Sequence, residues 1–560
     1  MKAFTVSAIL LILFNVQVFS QSIPLGTPIV EDYLRRQQIL GKFDSSLSFN
    51  YRPINLSKNG IKIDSAIFNS SNYFKTIAEP FKGKGKVKIL PSEFRLAYDK
   101  DHPDSRNDGA MIRSRGFQTY ASIGVYAELG PLTVQLKPEF VWAQNRDYQG
   151  FPLWPRHWES TWQTRYIFFN QSDIPERYGE NAYTSLNLGQ SSLRLNKWGM
   201  SLGVSTENIW WGPAIRNSIM MSNNAQGFPH ITFNTQRPIK SPIGSFEWQF
   251  LTGKLVGSGF TPPAFDVPFR GRIQYAPKPD DWRYFQALTF SYSPKWVKGL
   301  SLGLTRWVQQ YHENAKETSS YFPIFQNLFR KNDREELGFN LDQDQAAGLF
   351  GRWIWFDSKA EIYFEYAKND APINFRDLLV DTDHSRALTV GVRKLFSTPK
   401  PDNFWQFLFE WNQVSQTESR LLRNSLSWYI HGRVRHGYTN NGDVLGSALG
   451  PGGNAQFLEV SWLNGMNKIG GALERYVHNN DFTTTAFPND FTRYWVDYSI
   501  YAFFDKQFDR LVLSSSLFYT YSMNYQWEVL FDPNDPSAFP DTPGVDRNNW
   551  NLDIKIAYSF

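Results

Sequence analysis

The chain ends on the stretch Trp550-Asn-Leu-Asp-Ile-Lys-Ile-Ala-Tyr-Ser-Phe560, in which apolar side chains alternate with polar or small ones. Successive side chains of a β-strand point to opposite faces, so this alternation predicts a strand with one apolar face. The apolar face ends on two aromatic side chains, Tyr558 and Phe560. Whatever the rest of the chain forms, its last element is therefore predicted to be an amphipathic strand.

The same alternation recurs through the chain. It is present at residues 132–137, 200–205, 300–305, 362–366, 388–392, 405–411 and 458–462. One face of each segment is apolar and the other is small or polar, as expected of a wall between lipid and a lumen. A terminal Phe after such a strand also resembles the sorting signal of bacterial outer-membrane barrels. We therefore predict an all-β fold, a transmembrane antiparallel β-barrel of about 18 strands, an even number being usual.

The spacing of the segments is asymmetric. Tight turns are expected at Gly130-Pro131, Asn196-Lys197, Lys298-Gly299, Asp357-Ser358, Asn467-Lys468 and near Gln507. Long connections rich in Pro, Asn and Asp are expected at 145–182, 309–345, 415–454 and 522–548. Short periplasmic turns and long extracellular loops are typical of outer-membrane barrels. Tryptophans at predicted strand ends fit interfacial girdles, namely Trp142, Trp198, Trp296, Trp355 and Trp495.

Composition excludes several other classes of protein. Of the 560 residues, 17% are aromatic, 20% charged and 41% hydrophobic. Beyond the N-terminal stretch, the apolar runs are far shorter than the roughly 20 residues of a membrane-spanning helix. The absence of cysteine excludes disulfides and thiolate metal sites. A net charge of +5 is too small to indicate a nucleic-acid partner.

The N-terminal part divides into two predicted regions. Lys2 and the apolar run at 8–14 predict a signal peptide over residues 1–20, and hence export to the outer membrane. Residues 21–108 are predicted to form a small periplasmic or luminal plug segment before a barrel at 109–560, because so wide a barrel cannot fill itself with wall side chains. Lysines at every second position predict either a solvated strand edge or a basic surface for an acidic polymer, at Lys82, Lys84, Lys86 and Lys88.

Two matches to the hydrolase pattern G-x-S-x-G occur, at Gly199–Gly203 and Gly299–Gly303. The pattern is functional on a sharp turn between a strand and a helix, whereas both matches lie in alternating strands just after a tight turn. No cofactor-binding or metal-binding motif is found, so the sequence does not indicate an enzyme. A porin, or an outer-membrane hydrolase using Ser201 or Ser301, is the alternative function.

Aromatic and polar side chains are concentrated in two stretches that suit sugars, whose C–H faces stack on indole and whose hydroxyls need donors and acceptors. The first stretch contains Trp154 and Trp158, with Trp162 one helical turn further on. The second contains the candidate polysaccharide-binding residues Trp210, Trp211, Arg216, Asn223, Asn224 and His230. Packing of the rings into a plug, and carboxamides that satisfy loop backbone, are the competing interpretations.

The second stretch belongs to a longer motif. Its Trp-Trp-Gly-Pro and Ser-Asn-Asn-Ala-x-x-Phe-Pro-His elements lie within Glu207–Ile231 and resemble the signature of the capsule assembly (Wzi) family. Further agreeing segments are Asn107–Ile112 running into Lys137–Phe140, and His436–Gly446 followed by Gly450–Gln456. One departure is Ala214, where glycine is expected, which argues against a positive φ at that position.

The resemblance implies an outer-membrane barrel with an N-terminal periplasmic plug. It implies a lectin without catalytic activity that assembles or retains capsular polysaccharide at the cell surface. The expected partners are capsular or exopolysaccharide and outer-membrane lipid. From charge and motifs no nucleic acid, cofactor or metal is expected, and the barrel is expected to be monomeric.

Overall fold

The computed structural model describes residues 22–23, 25, 29–42, 46–55, 75–104, 106–152, 159–269, 271–315, 322–325, 342–369, 375–423, 425–488, 490–530 and 543–560. Most of the strands belong to one sheet, and its first and last wall strands pair with each other, from Tyr558 opposite Ser92 to Asn551 opposite Asp99. The sheet therefore closes into an antiparallel barrel of 18 strands, which confirms the predicted fold class.

The strands follow the order of the sequence around the barrel, so each pairs with its neighbours along the chain. Three of them are interrupted and have two pieces. Their bounds are β1 Gly85–Asp99, β2 Gly116–Leu129, β3 Leu132–Leu136 and Glu139–Ala143, β4 Tyr183–Asn187 and Ser192–Lys197, β5 Met200–Ser205, β6 His230–Thr235 and Ile239–Ser241, β7 Gly244–Leu255, β8 Arg283–Pro294, β9 Leu300–Tyr311, β10 Gln343–Trp355, β11 Ala360–Lys368, β12 Arg386–Ser397, β13 Asn403–Gln413, β14 Asn454–Asn464, β15 Asn467–Val477, β16 Val496–Phe508, β17 Leu511–Met523 and β18 Arg547–Tyr558.

The two faces of the wall differ in the way that alternation predicted. On β11, Ile362 and Phe364 are exposed on the outer face, whereas Glu361 and Glu365 are buried on the inner face. The outer face is apolar because it meets lipid, and the inner face is polar because it meets the contents of the lumen. Of the five girdle tryptophans, Trp142, Trp198, Trp296 and Trp355 are exposed as expected, but Trp495 is buried.

The two ends of the barrel also differ as predicted. At one end the strands are joined by turns of two to five residues, at 130–131, 198–199, 242–243, 295–299, 356–359, 398–402, 465–466 and 509–510. The other end carries the long connections, including 100–115, 144–182, 206–229, 256–282, 369–385, 414–453, 478–495 and 524–546. We name these the short-turn end and the long-loop end. By the usual asymmetry of such barrels, the short-turn end faces the periplasm.

The predicted start of the barrel at residue 109 is wrong, because the first wall strand begins at Gly85 and pairs with both β2 and β18. A bulge between Leu90 and Glu93 explains the error. A bulge shifts which side chains face inward, so the two halves of the strand do not share one alternating pattern. Lys86 and Lys88 lie in this strand, and Lys88 sits over the ring of the buried Tyr126.

The lysine row is therefore not one face of a strand. Lys82 and Lys84 belong to the turn that connects Lys75–Ala78 to β1. Lys75–Ala78 pairs with residues 87–89 of β1, where β18 has already ended. This short strand thus covers the part of the seam that the closing strand leaves unpaired.

The N-terminal segment lies inside the barrel at the short-turn end. Its helix α1, Val30–Ile39, contacts inward-facing side chains: Arg35 Nε donates to Glu361 Oε1 at 3.0 Å. Arg36 also donates to the carbonyl of Gly465, in a short turn, at 3.1 Å. The following stretch rises along the wall, since the Ser48 amide donates to Glu247 Oε2 at 2.7 Å and Asn50 Nδ2 donates to Ser301 Oγ at 3.1 Å.

The remaining elements are short. The other helices are α2 Glu159–Gln171, α3 Phe375–Val380 and α4 Asn480–Ala486, with 3₁₀ turns at His312–Asn314, Pro323–Phe325, Glu418–Leu421, Phe491–Arg493 and Tyr525–Trp527. Two-residue strands pair as Ser22–Ile23 with Ile54–Asn55, Tyr51–Arg52 with Trp210–Trp211, Pro268–Phe269 with Arg272–Ile273, and Thr439–Asn440 with Asp443–Val444. In the part of the chain that the structure describes, none of the helices has the length and apolarity needed to cross a membrane.

Candidate functional site

The Trp-Trp-Gly-Pro stretch lies in the middle of the lumen. The connection 206–229 leaves the long-loop end and folds inward, where Trp210 and Trp211 pair with Arg52 and Tyr51 of the N-terminal segment. The Gly212 amide extends this ladder by donating to the carbonyl of Asn50 at 2.7 Å. A loop from one end and a segment from the other thus meet in a small sheet inside the barrel.

Both indoles are covered at this meeting point. Trp211 is 1% exposed and its indole N–H donates to Gln249 Oε1 at 2.7 Å. Trp210 is 5% exposed and the Arg52 guanidinium lies 4.6 Å from its ring centroid. A sugar needs an open ring face for stacking, so the expectation that these indoles offer such faces is not met in this conformation.

Two wall carboxylates hold the turn that follows. Glu365 accepts from the amides of Ala214 and Ile219 at 2.9 and 2.8 Å. Glu410 accepts from the amides of Ile215 and Asn217 at 2.8 and 2.9 Å. Backbone amides of a turn can converge on an anion, and here the anion is supplied by the barrel itself.

Glycine is required in this turn at position 212 rather than 214. Gly212 has a φ of 98°, and a Cβ there would lie 2.1 Å from Glu365 Oε1. Ala214 is not among the residues with positive φ, which agrees with the expectation drawn from its methyl group.

Three segments that are distant in sequence converge beside this turn. Asn223 Nδ2 donates to the carbonyl of Asn107 at 3.1 Å, and the Gly109 amide donates to the carbonyl of Asn223 at 2.8 Å. Asn224 Nδ2 donates to the carbonyl of Val444 at 3.0 Å. The motif segments 107–112, 207–231 and 436–446 therefore form one hydrogen-bonded unit in the lumen.

An apolar cluster closes this unit from the side. Tyr438 stacks on Trp307 with ring centroids 3.9 Å apart and donates through its hydroxyl to the carbonyl of Met220 at 2.7 Å. Ile219, Met221 and Trp211 belong to the same cluster. We name this cluster, with the turn 212–219, the lumen core.

The other predicted site residues occupy different positions. Arg216 is partly exposed, lies 4.0 Å from the ring of Phe457 and contacts Glu474 at 3.5 Å. His230 is buried at the start of β6, with Nδ1 2.8 Å from the carbonyl of Phe228. Trp154 and Trp158 lie outside the described residues. Trp162 is buried in α2 among aromatic side chains that include Phe151, whose ring centroid is 5.7 Å away.

A cavity of about 230 Å³ lies above the lumen core, enclosed by connections of the long-loop end. We name it the long-loop cavity. Its aromatic lining consists of Tyr148, Phe168, Phe169, Tyr476, Trp495, Tyr525 and Trp527. Its charged or titratable lining includes His102, Asp104, Arg106, Arg113, Arg165, Glu176, Asp443, His478 and Asp497. Asn224 is the predicted site residue that reaches this cavity.

The cations of the cavity are held by acidic partners. Arg113 Nε donates to Asp443 Oδ1 at 2.9 Å, and Tyr178 donates to the other oxygen of Asp443 at 2.7 Å. Arg106 contacts both Asp104 and Glu474 at 3.1 Å. Burial raises the pKa of Asp443 above its ordinary value, although Arg113 beside it acts in the opposite direction.

A rigid aromatic platform forms one wall of the cavity. His478 stacks on Trp495 with centroids 3.6 Å apart and an angle of 7° between the rings. Asp497 fixes both rings, since it contacts His478 Nε2 at 2.6 Å and accepts from the Trp495 indole N–H at 3.0 Å. Most of the pair is covered, since Trp495 is 9% exposed and the ring of Tyr476 lies 4.0 Å from that of His478, so the part that lines the cavity is the partly exposed His478.

Apart from Asn224, the residues of this cavity were missed from the sequence because the lining comes from six different connections and two strands. Trp495 was assigned to the membrane interface from its position at a strand end. His478 and Trp495 are the first and last residues of one long connection, 478–495. Because this connection joins neighbouring strands, its two ends lie side by side. That signal could have placed the two rings close together.

Most of the sequence matches a known protein family. The model of a family described as capsule assembly protein Wzi matches residues 89–529, well over half of the chain. The chain belongs to the Wzi capsule assembly family. The match covers all three motif segments that converge in the lumen of this Wzi-family protein, which confirms the family resemblance drawn from them.

One solved structure agrees with this Wzi-family assignment at the level of the fold. The Escherichia coli protein Wzi, described as an outer membrane protein involved in group 1 capsule assembly and as a carbohydrate-binding β-barrel, is similar with 13% identity and a TM-score of 0.58. The alignment covers 97% of this chain and 100% of that one. Acinetobacter baumannii OccAB1 is 8% identical with a TM-score of 0.35 over 86% of this chain and 99% of its own. No curated protein sequence matches the chain.

Proposed function

We propose that this chain is a non-enzymatic outer-membrane lectin that binds acidic capsular polysaccharide in the long-loop cavity and retains it at the cell surface. The observation that carries the proposal is the cavity itself: arginines and rigid aromatic rings converge at the end of the barrel that faces outward. Its support from relatives is the family membership and the description of the similar Escherichia coli protein as carbohydrate-binding.

Arg113 is the side chain we expect to bind the acidic group of the glycan. Its side chain is 35% exposed, although its Nε is bound to Asp443. A guanidinium carries five N–H donors, more than one carboxylate can use, so a uronate carboxylate can bind beside Asp443. Tyr148 and His478, the partly exposed rings of the lining, then offer apolar surface to the C–H face of the same or the next sugar.

The candidate residues predicted from the sequence differ in how directly they contribute to the proposed site. Asn224 contributes directly through the cavity floor, and Arg216 acts on Arg106 through their shared contact with Glu474. Trp210, Trp211 and Asn223 are proposed to support the floor from below, and His230 packs in the wall against Phe228 of the lumen core. Trp154 and Trp158 belong to the connection 144–182, which also supplies cavity walls, and remain proposed as secondary platforms.

The proposal can be tested in cells with a strain that lacks the chain. We expect the strain to shed polysaccharide into the medium, and the wild-type chain to restore cell-bound polysaccharide. Arg113→Ala should restore little of it, because the ion pair that anchors the acidic sugar is lost.

A matched control is available in the same barrel. Arg423 is 27% exposed and contacts Asp377 at 2.9 Å, so its environment resembles that of Arg113, but it lies outside the cavity. Arg423→Ala should restore retention as well as the wild type does. If Arg113→Ala and the wild type retain equal amounts of polysaccharide at equal barrel levels, the long-loop cavity is not the binding site.

A further inference from the structure

An apolar patch is exposed on two neighbouring connections of the long-loop end. Its members are Phe375, Leu379, Val380, Leu421 and Leu422, with exposures of 62%, 62%, 77%, 81% and 94%. We name them the loop patch. Single exposed apolar side chains are common on proteins, but a contiguous group of large ones indicates an interaction surface.

The two connections form one unit. Arg423, beside Leu422, contacts Asp377 of helix α3 at 2.9 Å. Thr417 donates through its hydroxyl to the carbonyl of Asp383 at 2.9 Å. The indole N–H of Trp428 donates to the carbonyl of Ser385 at 3.1 Å. These bonds between the connections 369–385 and 414–453 hold the loop patch together.

This unit is fastened to the outer face of the wall. Tyr366 and Lys368 follow Ile362 and Phe364 at every second position of β11, on the face that meets lipid. The Tyr366 hydroxyl donates to the carbonyl of Thr382, and Lys368 Nζ donates to the carbonyl of Asp381 at 2.9 Å. The connection therefore folds down over the outside of the barrel, away from the lumen and the long-loop cavity.

We propose that the loop patch docks on the outer leaflet of the membrane and inserts its side chains at the boundary between headgroups and acyl chains. The patch continues the lipid-facing surface of β11 beyond the end of the strand. Charge does not favour another occupant. The described parts of the two connections carry five arginines and five acids, at Arg376, Arg420, Arg423, Arg433, Arg435, Asp377, Asp381, Asp383, Glu418 and Asp443. Apolar burial alone can hold such an interfacial segment.

The absence of native cysteine makes the proposal directly testable. Leu422→Cys is labelled with an environment-sensitive fluorophore, and the whole barrel is reconstituted into phosphatidylethanolamine–phosphatidylglycerol vesicles that contain nitroxide-labelled lipid. Asn314→Cys is the control, an exposed position in the connection after β9. We expect the label at 422 to be quenched by the lipid nitroxide several-fold more strongly than the label at 314.

Two results would overturn the proposal. One is equal, weak lipid quenching at both positions together with free access of aqueous iodide to the label at 422. The other is shielding at 422 that disappears when the protein is diluted in lipid, which would assign the loop patch to contact with a second copy. A label at Val380→Cys, on the other connection, must agree with the label at 422, so a local distortion at one site cannot produce the expected result.

Discussion

At the scale of the residue, Trp211 joins the three parts of the lumen. Its backbone pairs with Tyr51 of the N-terminal segment, and its indole donates to Gln249 of the wall. Its side chain packs in the lumen core beside Ile219 and Met221. Removing its side chain leaves a cavity and deprives Gln249 Oε1 of its donor, so its role in stability can be separated from a role in binding.

We therefore predict that Trp211→Ala lowers the free energy of unfolding by about 3–5 kcal/mol, as expected for a buried Trp. Urea titration followed by heat-modifiability on gels would measure it. Trp296→Ala, at a rim position that is 69% exposed, should change stability far less. A Trp211→Ala barrel that keeps its stability but no longer binds glycan would identify the indole as a binding platform instead.

Asp32 of helix α1 makes the N-terminal segment sensitive to acid. Burial alone would raise the pKa of Asp32, but Arg393 at 2.8 Å and Arg36 at 3.0 Å outweigh burial and hold that pKa well below its ordinary value of 3.8. A carboxylate with a lowered pKa stabilises the folded state above its ordinary pKa, and this contribution is lost as the pH falls below that value.

We predict that the helix is held firmly at pH 5 and above and loosens as the pH falls below about 4. Protease cleavage within residues 29–42 would report the loosening. Asp32→Asn should be cleaved faster than the wild type at pH 6 and should show little further change on acidification. The same steep acid response in Asp32→Asn and the wild type would assign the sensitivity to other groups.

At the scale of the element, the N-terminal segment and the inward connection 206–229 close the lumen together. The pairing of Tyr51–Arg52 with Trp210–Trp211 joins them at its centre. We predict that the wild-type barrel is nearly silent in planar bilayers. Deletion of residues 22–55 should raise single-channel conductance, because the short-turn end loses its filling and the inward connection loses the strand that pairs with Trp210–Trp211. A porin-like conductance in the wild type, unchanged by the deletion, would contradict this and favour a channel.

The strands that could be predicted from the sequence are those whose alternating pattern is complete within a short segment. The wall strands β9, β12 and β13 were predicted because apolar and polar residues alternate in each without interruption. Strand β1 was missed because the bulge near Pro91 shifts its inward-facing positions. The two serines of the hydrolase-like patterns lie within strands β5 and β9, which agrees with their interpretation as wall positions.

The candidate site could be predicted only in part, for a different physical reason. The motif residues were identifiable, but their convergence depends on contacts such as Asn107 with Asn223 and Asn224 with Val444, which join segments more than 100 residues apart. No spacing rule relates such segments. The long-loop cavity depends on these contacts as well, because its floor is made where the segments meet.

At the scale of the whole molecule, the barrel is polarised along its axis. The N-terminal helix lies at the short-turn end, the lumen core fills the middle, and the long-loop cavity lies at the other end. The outer face is predominantly apolar along the strands, as membrane residence requires. This arrangement suits a protein that holds a ligand on the outside and lets nothing pass, rather than one that conducts.

The measurement that tests this account most directly is a calorimetric titration of the purified barrel with a uronate-containing capsular oligosaccharide. We predict binding by the wild type and by Arg423→Ala, and a loss of about tenfold or more in affinity for Arg113→Ala, since removal of an interfacial anchor typically costs about 1–3 kcal/mol. The carboxyl-reduced oligosaccharide should bind the wild type as weakly as the acidic one binds Arg113→Ala. Equal affinities for the wild type and Arg113→Ala would contradict the central claim that the long-loop cavity is the glycan site.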